Sequence, residues 1–410
     1  MSKGFRIIIK LAALVALVLV GVFLLGVWHD AQDSAAAWEE YYDALDRAKA
    51  EAAAAAAAVT PEPAEAALPA ENVPQAVPAA AATPEPTPSP EPTPEVVTVS
   101  LIGDCTLASY PEIRGLASSF ENVVESNWGY PFSNAIRYLA TDDFTIGNLE
   151  CCLSDSTAWS GSTFSFLAPA AAVNILTLGS VEYVTTANNH ALDFGTDIYD
   201  ESCGILDKAG IGHSGEGEYS LYETRGGVKI GVYSVFNYYS PETGAMAKAI
   251  AALREQGAEI VIVAVHWGTE GTYYQTGDQE KAGRAAIDAG ADVVYGSHPH
   301  RLQPVEEYNG GLIFYSMANW CFGGNTNPVD KDTAIAQIMY ERDTDGTLKR
   351  SGVELIPCSI SSVADANDYR PTAFEEGTEE YERAMSKITG TFSGANTMPD
   401  YSFMHTGEEG

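Results

Sequence analysis

The chain has 410 residues, 46% of them hydrophobic, enough for a large buried core and too many for a wholly disordered protein. Its 22 Lys and Arg against 56 Asp and Glu give a net charge of -34, which argues against nucleic-acid binding, because that needs cations facing phosphates. Charged residues are only 19% of the total, so the imbalance comes from scarce Lys and Arg.

Residues 1–10 carry Lys3, Arg6 and Lys10 and no acid, and Leu11 to Trp28 is an unbroken apolar run of 18 residues. At roughly 1.5 Å per residue this run reaches about 27 Å, one membrane span, and it exceeds the roughly 7–15-residue core of a cleavable signal peptide. An uncleaved signal-anchor over 11–28 is therefore expected. The basic flank puts residues 1–10 in the cytoplasm and the rest of the chain outside the cell membrane. The alternative is cleavage near Ala35 to Ala37, which would release the protein. In 29–59, Trp38, Tyr41, Tyr42 and Leu45 fall at helical spacing ahead of an alanine run, the pattern of a solvated helical stalk. Residues 60–95 hold 11 of the 21 prolines and read as an extended linker. At roughly 3.1 Å per residue, it could hold a domain up to about 100 Å from the membrane.

A globular domain is expected over 96–360, followed by an acidic tail over 361–410 that reads as a partly ordered surface segment. The charge divides unevenly: +3 on the N-terminus, -11 on stalk and linker, -19 on the domain and -7 on the tail. Within the domain, apolar β-rich runs (VVTVSLIG, DFTIGN, VEYVTTAN, VKIGVYSVF, AEIVIVAVHWG, ADVVYGS, LIFYSM, TAIAQIMY) alternate with helical patterns at 131–140, 197–209, 244–256 and 278–289. This predicts an α/β fold, with one mixed sheet or two sheets between helices, and active-site residues on loops beyond the strand ends.

The strand exits carry the chemistry. They deliver Asp104, then Asn148 and Glu150, then Asn188, Asn189 and His190, then His266, then His298 and His300. Four of the seven histidines sit at these exits. Oxygen and imidazole donors together suit one or two divalent ions such as manganese, iron or zinc. A carboxylate that bridges two ions and a free imidazole that protonates a leaving group would make a hydrolytic centre. Six cysteines (Cys105, Cys151, Cys152, Cys203, Cys321, Cys358) form no CxxC pair, which leaves a structural zinc knuckle unsupported; they are buried hydrophobes or carry a disulfide.

In VSLIGDCTL, IGNLECCLSD, TTANNHALDFG, VAVHWGTEG and DAGADVVYGSHPHRLQPVEEYNGGLIFYSMANW, and in their order, the sequence resembles the CapA-type poly-gamma-glutamate capsule-synthesis family, itself similar to calcineurin-like metallophosphoesterases. The resemblance covers roughly 96–360. It implies a metallophosphoesterase-like β-sandwich of two mixed sheets flanked by helices. It further implies that Asp104 and His300 hold a first metal, Glu150 bridges, and Asn189, His266 and His298 hold a second. His190 would be the acid, oriented by Asp193. The superfamily's Asp-x-His motif is absent, since Thr106 stands two residues after Asp104, which leaves the first metal few protein ligands.

Candidates for lining a substrate groove are Asn148, Asn188, Trp267, Glu270, Arg301 and Asn319. Trp267, Glu270 and Tyr273 equally well only close their loop, Arg301 equally well makes a surface salt bridge, and Asn319 is placed to bond a ligand histidine. The resulting expectation is a membrane-anchored, outward-facing, metal-dependent hydrolase acting on a phosphoester or an anionic envelope polymer. The alternative is a non-catalytic accessory subunit that binds polymer or a membrane-bound polyglutamate synthase.

Overall fold

A computed structural model of the protein describes residues 96–158, 160–238 and 241–394. The expected anchor, stalk and linker lie outside the described residues, as does 395–410. Among the described residues, no helix is long and apolar enough to cross a membrane.

Two mixed sheets pack face to face. The first contains β1 (Val96–Thr106), β2 (Phe144–Leu149), β5 (Tyr183–Thr185), β6 (Gly212–Ser214), β14 (Asp332–Arg342), β15 (Leu348–Ser359) and β16 (Thr372–Ala373), in the order β16-β15-β14-β1-β2-β5-β6. A further strand, β13 (Asn319–Phe322), runs parallel to the end of β1. The second sheet contains β7 (Tyr219–Glu223), β8 (Lys229–Phe236), β9 (Ile260–His266), β10 (Val293–Ser297), β11 (Val305–Tyr308) and β12 (Gly311–Phe314), in the order β11-β12-β10-β9-β8-β7. A small ribbon pairs β3 (Cys152–Leu153) with β4 (Leu167–Ala168). The two central strands in each sheet that carry functional residues are parallel, β1 with β2 and β9 with β10, so their carboxyl ends open on one edge.

The pleat explains the layering. Side chains alternate faces along a strand. Val97, Val99 and Leu101 of β1 therefore meet Ile260, Ile262 and Ala264 of β9 in the core between the sheets. The intervening residues point outward: Val261, Val263 and Val265 pack under α5 (Thr243–Glu255) and α6 (Gly277–Asp288). Ile102 and Cys105 face the other helical layer, built from α1 (Phe120–Val124), α2 (Ile136–Leu139), α3 (Val173–Leu178) and α4 (Thr196–Ala209). Because both faces of β9 are covered, its sequence is apolar throughout instead of alternating. Burying each such side chain contributes about 1.5–3 kcal/mol before chain entropy is subtracted.

Three of the expected helices form nearly as read, but 131–140 narrows to a single turn, Ile136–Leu139. Thr276 caps α6 through a reciprocal box with Gln279, worth about 1 kcal/mol. The chain does not leave the domain at Ile360, where its polarity put the limit. β16 pairs with β15, and Tyr369 is fully buried. Helix α7 (Glu379–Ile388) sets Ala384 and Ile388 into the inter-sheet core. Its Lys387 is buried against Asp330 at 2.6 Å and Asp332 at 2.7 Å, while Arg383 holds Asp332 in a two-pronged bond. All six cysteines are free thiols, five of them buried, so no disulfide braces the site.

Candidate metal centre

The floor of the site is built at the ends of β1 and β2. The register pairs Asp104 with Asn148 on one side and with Asn319 of β13 on the other. The Asp104 amide donates to the Ala318 carbonyl at 2.9 Å. A Cβ on Gly103 would lie 2.4 Å from that same oxygen, so the close crossing of β13 requires glycine there. Two amides then fix the aspartate: Asn188 Nδ2 donates to Asn148 Oδ1 at 3.0 Å, and Asn148 Nδ2 donates to Asp104 Oδ1 at 2.9 Å. The second carboxylate oxygen is left facing His300 Nδ1, 3.3 Å away. Asn188 also bonds the Leu149 carbonyl, which sets the strand end from which Glu150 projects.

The imidazoles come from the second sheet. His266 Nδ1 is engaged by Ser297 Oγ at 2.8 Å, which turns Nε2 toward Asn189 Oδ1 at 2.7 Å and Glu150 Oε1 at 3.6 Å. His298 and His300 leave the end of β10 with φ of 96° and 51°. Such left-handed backbone costs a non-glycine residue of order 1 kcal/mol or more and clusters at functional sites. The turn faces both rings inward: the His266 and His298 centroids are 4.7 Å apart, and His300 Nδ1 meets Asn319 Oδ1 at 2.8 Å.

Three overlapping sets of ligand atoms result, each within 4.8 Å of one another: Glu150, His266 and His298; Asp104, Glu150 and His300; and Glu270, His298 and His300. Both Glu150 oxygens, Asp104 Oδ2 and His298 Nδ1 are buried without a hydrogen bond. Burial, reinforced by the Asp104 charge, pushes the Glu150 carboxyl well above its usual range. Burial and the neighbouring His298 hold His266 well below the usual imidazole range, and burial with His300 pushes His298 down to about 3. His300 goes the other way: burial would lower it, but Glu150, Asp104 and Glu270 outweigh that and raise it to about 10. Neutral imidazoles and unpartnered carboxylate oxygens converging on one point are the donor set of a divalent transition-metal site, so these residues fit such an ion.

Beside these sets stands His190, which belongs to none of them. Its Nδ1 meets Asp193 Oδ2 at 2.9 Å, and that oxygen also accepts the Phe166 amide at 3.1 Å. The Phe166 ring meets the imidazole edge-on at 4.8 Å. Glu150, Asn189, His190, Glu270, His300, Arg301 and Asn319 line one cavity of about 190 Å³, whose apolar walls include Phe164, Phe166 and Phe322.

Of the groove candidates, Glu270, Arg301 and Asn319 line this cavity and three others do not. Asn148 and Asn188 are buried behind Asp104 because their amides are consumed in holding it. Trp267 is fully buried under the helical layer, its indole donating to the Tyr315 carbonyl at 2.9 Å, so it closes the loop. Tyr273 packs on Phe392, away from the cavity. Arg301 faces the cavity and donates to the His300 carbonyl at 2.7 Å; its ion pair with Asp330 Oδ2, 3.7 Å away, is buried and not the surface salt bridge of the alternative reading. Asn319 bonds the ligand-type His300 as its position in YSMANW suggested. Sequence reasoning overlooked Ser297 as the support of His266, and placed Glu270 with substrate instead of among the ligand sets. Its signal was its position four residues after His266, between two glycines.

With these residues in place, the comparison with known proteins is direct. The profile of the bacterial capsule synthesis protein PGA_cap family matches residues 98–324. The chain belongs to that family. The matched span contains every residue of the three ligand sets and the His190–Asp193 pair. Among its relatives, the PGA biosynthesis protein CapA of Bacillus subtilis is 25% identical over 70% of this chain and 79% of its own length. The capsule biosynthesis protein CapA of Bacillus anthracis is 25% identical over 67% of this chain and 72% of its own. A probable polyglutamine synthesis accessory protein of Mycobacterium tuberculosis is 25% identical over 47% of this chain and 60% of its own.

Proposed function

We propose that this member of the capsule-synthesis family is a membrane-anchored, outward-facing metal-dependent hydrolase, metallophosphoesterase-like in its site, that cleaves a phosphoester or related linkage in capsule or cell-envelope polymer metabolism. The observation that carries the reading is the position of His190: an imidazole held by a carboxylate, outside the ligand sets, on the wall of the cavity they open into. Asp104, Glu150 and His300 would hold one divalent ion (manganese, iron or zinc), and Glu150, Asn189, His266 and His298 a second. Such ions supply Lewis-acid charge stabilisation and activation of water.

The remaining chemistry belongs to the chain. Asp193 keeps the His190 Nδ1 side engaged, so the Nε2 side is the one available to deliver a proton to a departing oxygen. Asn148 and Asn188 keep Asp104 oriented, and Ser297 does the same for His266. Arg301 offers a fixed guanidinium to an anionic group, and Phe164, Phe166 and Phe322 exclude water around it. The anchor expected at 11–28 and the linker expected at 60–95 would tether this site on the outer side of the membrane.

The test is turnover of a generic phosphodiester by the purified protein with manganese. His190→Gln should lower kcat by about 10²–10⁴-fold, the range of a general acid, and leave metal content unchanged. Asp104→Ala and His298→Ala should lower both. Equal turnover by wild type and His190→Gln would refute the assigned acid.

A second reading, a non-catalytic accessory subunit of a polyglutamate synthase, is favoured by the name of the mycobacterial relative. Bound metal without turnover, together with capsule formation that survives His190→Gln, would select it.

A further inference from the structure

The two ion positions of the proposed function leave one carboxylate of the ligand sets unused. Glu270 lies on the loop between β9 and α6, lines the cavity, and shares a ligand set with His298 and His300. Each of those histidines also belongs to one of the other two sets, His298 with Glu150 and His266, His300 with Asp104 and Glu150. Glu150 thus joins the two metal positions from the buried floor. Glu270 joins the same two positions through their histidines, from an element that is only half-buried.

The loop is constructed to keep it there. Gly268 and Gly271 flank Glu270 with φ of 89° and 75°, conformations that favour glycine. The Gly268 amide donates to the Tyr238 carbonyl at 3.0 Å, and the Gly271 amide donates to the Pro299 carbonyl at 2.9 Å. The second bond ties the loop to the very residue that separates His298 from His300. A Cβ on Gly268 would lie 2.8 Å from the Gln279 amide, which is itself locked in the cap of α6. Backbone bonds therefore fix the stretch of main chain from which the Glu270 carboxylate reaches the two imidazoles.

We infer that Glu270 is a metal ligand, closing the cavity side of the centre with His298 and His300 and supplying the donor that Thr106 cannot. This rests on the reading that the centre holds divalent ions. Thr106 is fully buried beyond Asp104 and carries no imidazole, so the first position has only Asp104, Glu150 and His300 from the floor. A third carboxylate also changes the charge balance. Two divalent ions against Asp104 and Glu150 leave an excess of two positive charges, and Glu270 reduces it to one. The excess still attracts an anionic substrate beside Arg301, while each ion is held more firmly.

The test is manganese titration of the metal-free full-length protein, with free ion counted by electron paramagnetic resonance. Glu270→Gln should weaken at least one manganese equivalent by on the order of 10-fold or more. Glu270→Asp, which keeps the charge but falls one methylene short, should weaken the same equivalent. Thermal melting in chelator checks that both variants fold, and a loop residue that is half-buried should permit this. If Glu270→Gln binds manganese as wild type does, the ligand assignment fails while the metal centre stands. If Glu270→Asp binds like wild type and only Glu270→Gln is weakened, long-range charge and not ligation is responsible, which also overturns it. A wild-type protein that takes up no manganese would remove the proposed function together with this inference.

Discussion

Replacing Glu150 by glutamine changes the charge at the centre of the site without changing its volume, and the structure predicts that the effect on stability reverses with metal. Both carboxylate oxygens are buried without a hydrogen bond, and His266 Nε2, an imidazole that burial keeps neutral, lies 3.6 Å from Oε1. Without divalent ions, the native state carries a buried carboxyl that no protein donor satisfies, at a cost of about 1–3 kcal/mol. Glutamine brings its own amide donors toward Asp104 and Asn189 and relieves part of that cost. With an ion at 100 times its Kd, the wild type gains about 2.7 kcal/mol. The variant lacks the one carboxylate common to two of the ligand sets and gains little. At about 2 °C per kcal/mol for a domain of this size, Glu150→Gln should melt a few degrees above wild type in chelator and several degrees below it in saturating manganese. Thermal melts of both proteins in the two buffers measure the crossing. A variant that is less stable than wild type in chelator, or that shows the same metal-induced shift, would refute the role of Glu150 as the shared ligand.

Metal uptake should release protons between pH 7 and 9. His300 is raised to about 10, so in the metal-free native state it holds a proton that an ion displaces. Calorimetric titrations in buffers of different ionisation heat count them. The native state keeps the His300 proton that the unfolded chain gives up above about pH 6.5, so the stability His300 contributes without metal is lost as pH rises toward 10. Lys387→Met should cost about 3–5 kcal/mol, because it leaves Asp330 and Asp332 buried without their shared cation; urea denaturation measures it. Lys387 and Arg301 hold the Asp330 carboxyl below its ordinary value despite the opposing effect of burial. Its contribution is present above about pH 4, the unfolded value, and is lost as pH falls through the lower folded value. Acid titration of the fold should therefore show a loss below about pH 4 that Asp330→Asn removes.

Much of the site was legible because metal chemistry restricts residue type and parallel strands restrict place. Asp104, Glu150, His266, His298 and His300 each follow a run whose apolar, β-branched character already announced a buried strand, and their convergence needs only that the strands point the same way. The polar strand β15 was not legible. From Leu348 to Leu355 neither of its faces is buried, so no strict apolar alternation is imposed on it, and pairing along β14 stabilises it instead. The end of the domain was hidden for a related reason. The residues after Ile360 are acidic and read as surface, yet α7 presents Ala384, Lys387 and Ile388 inward.

The sequence by itself determined an alternating α/β pattern, the motifs that resemble the family and the ligand residue types, because periodicity, motif and donor chemistry are local properties of the chain; that the strands form two packed sheets was decided by tertiary structure. Only the tertiary structure decided which polar side chains face the cavity. Asn148, Asn188 and Trp267 lie as close to the motifs in sequence as Glu270 and Arg301 do, but their hydrogen-bonding groups are spent on Asp104, Leu149 and Tyr315. A side chain committed to a buried bond is withheld from substrate, and that commitment depends on partners 39 to 48 residues away.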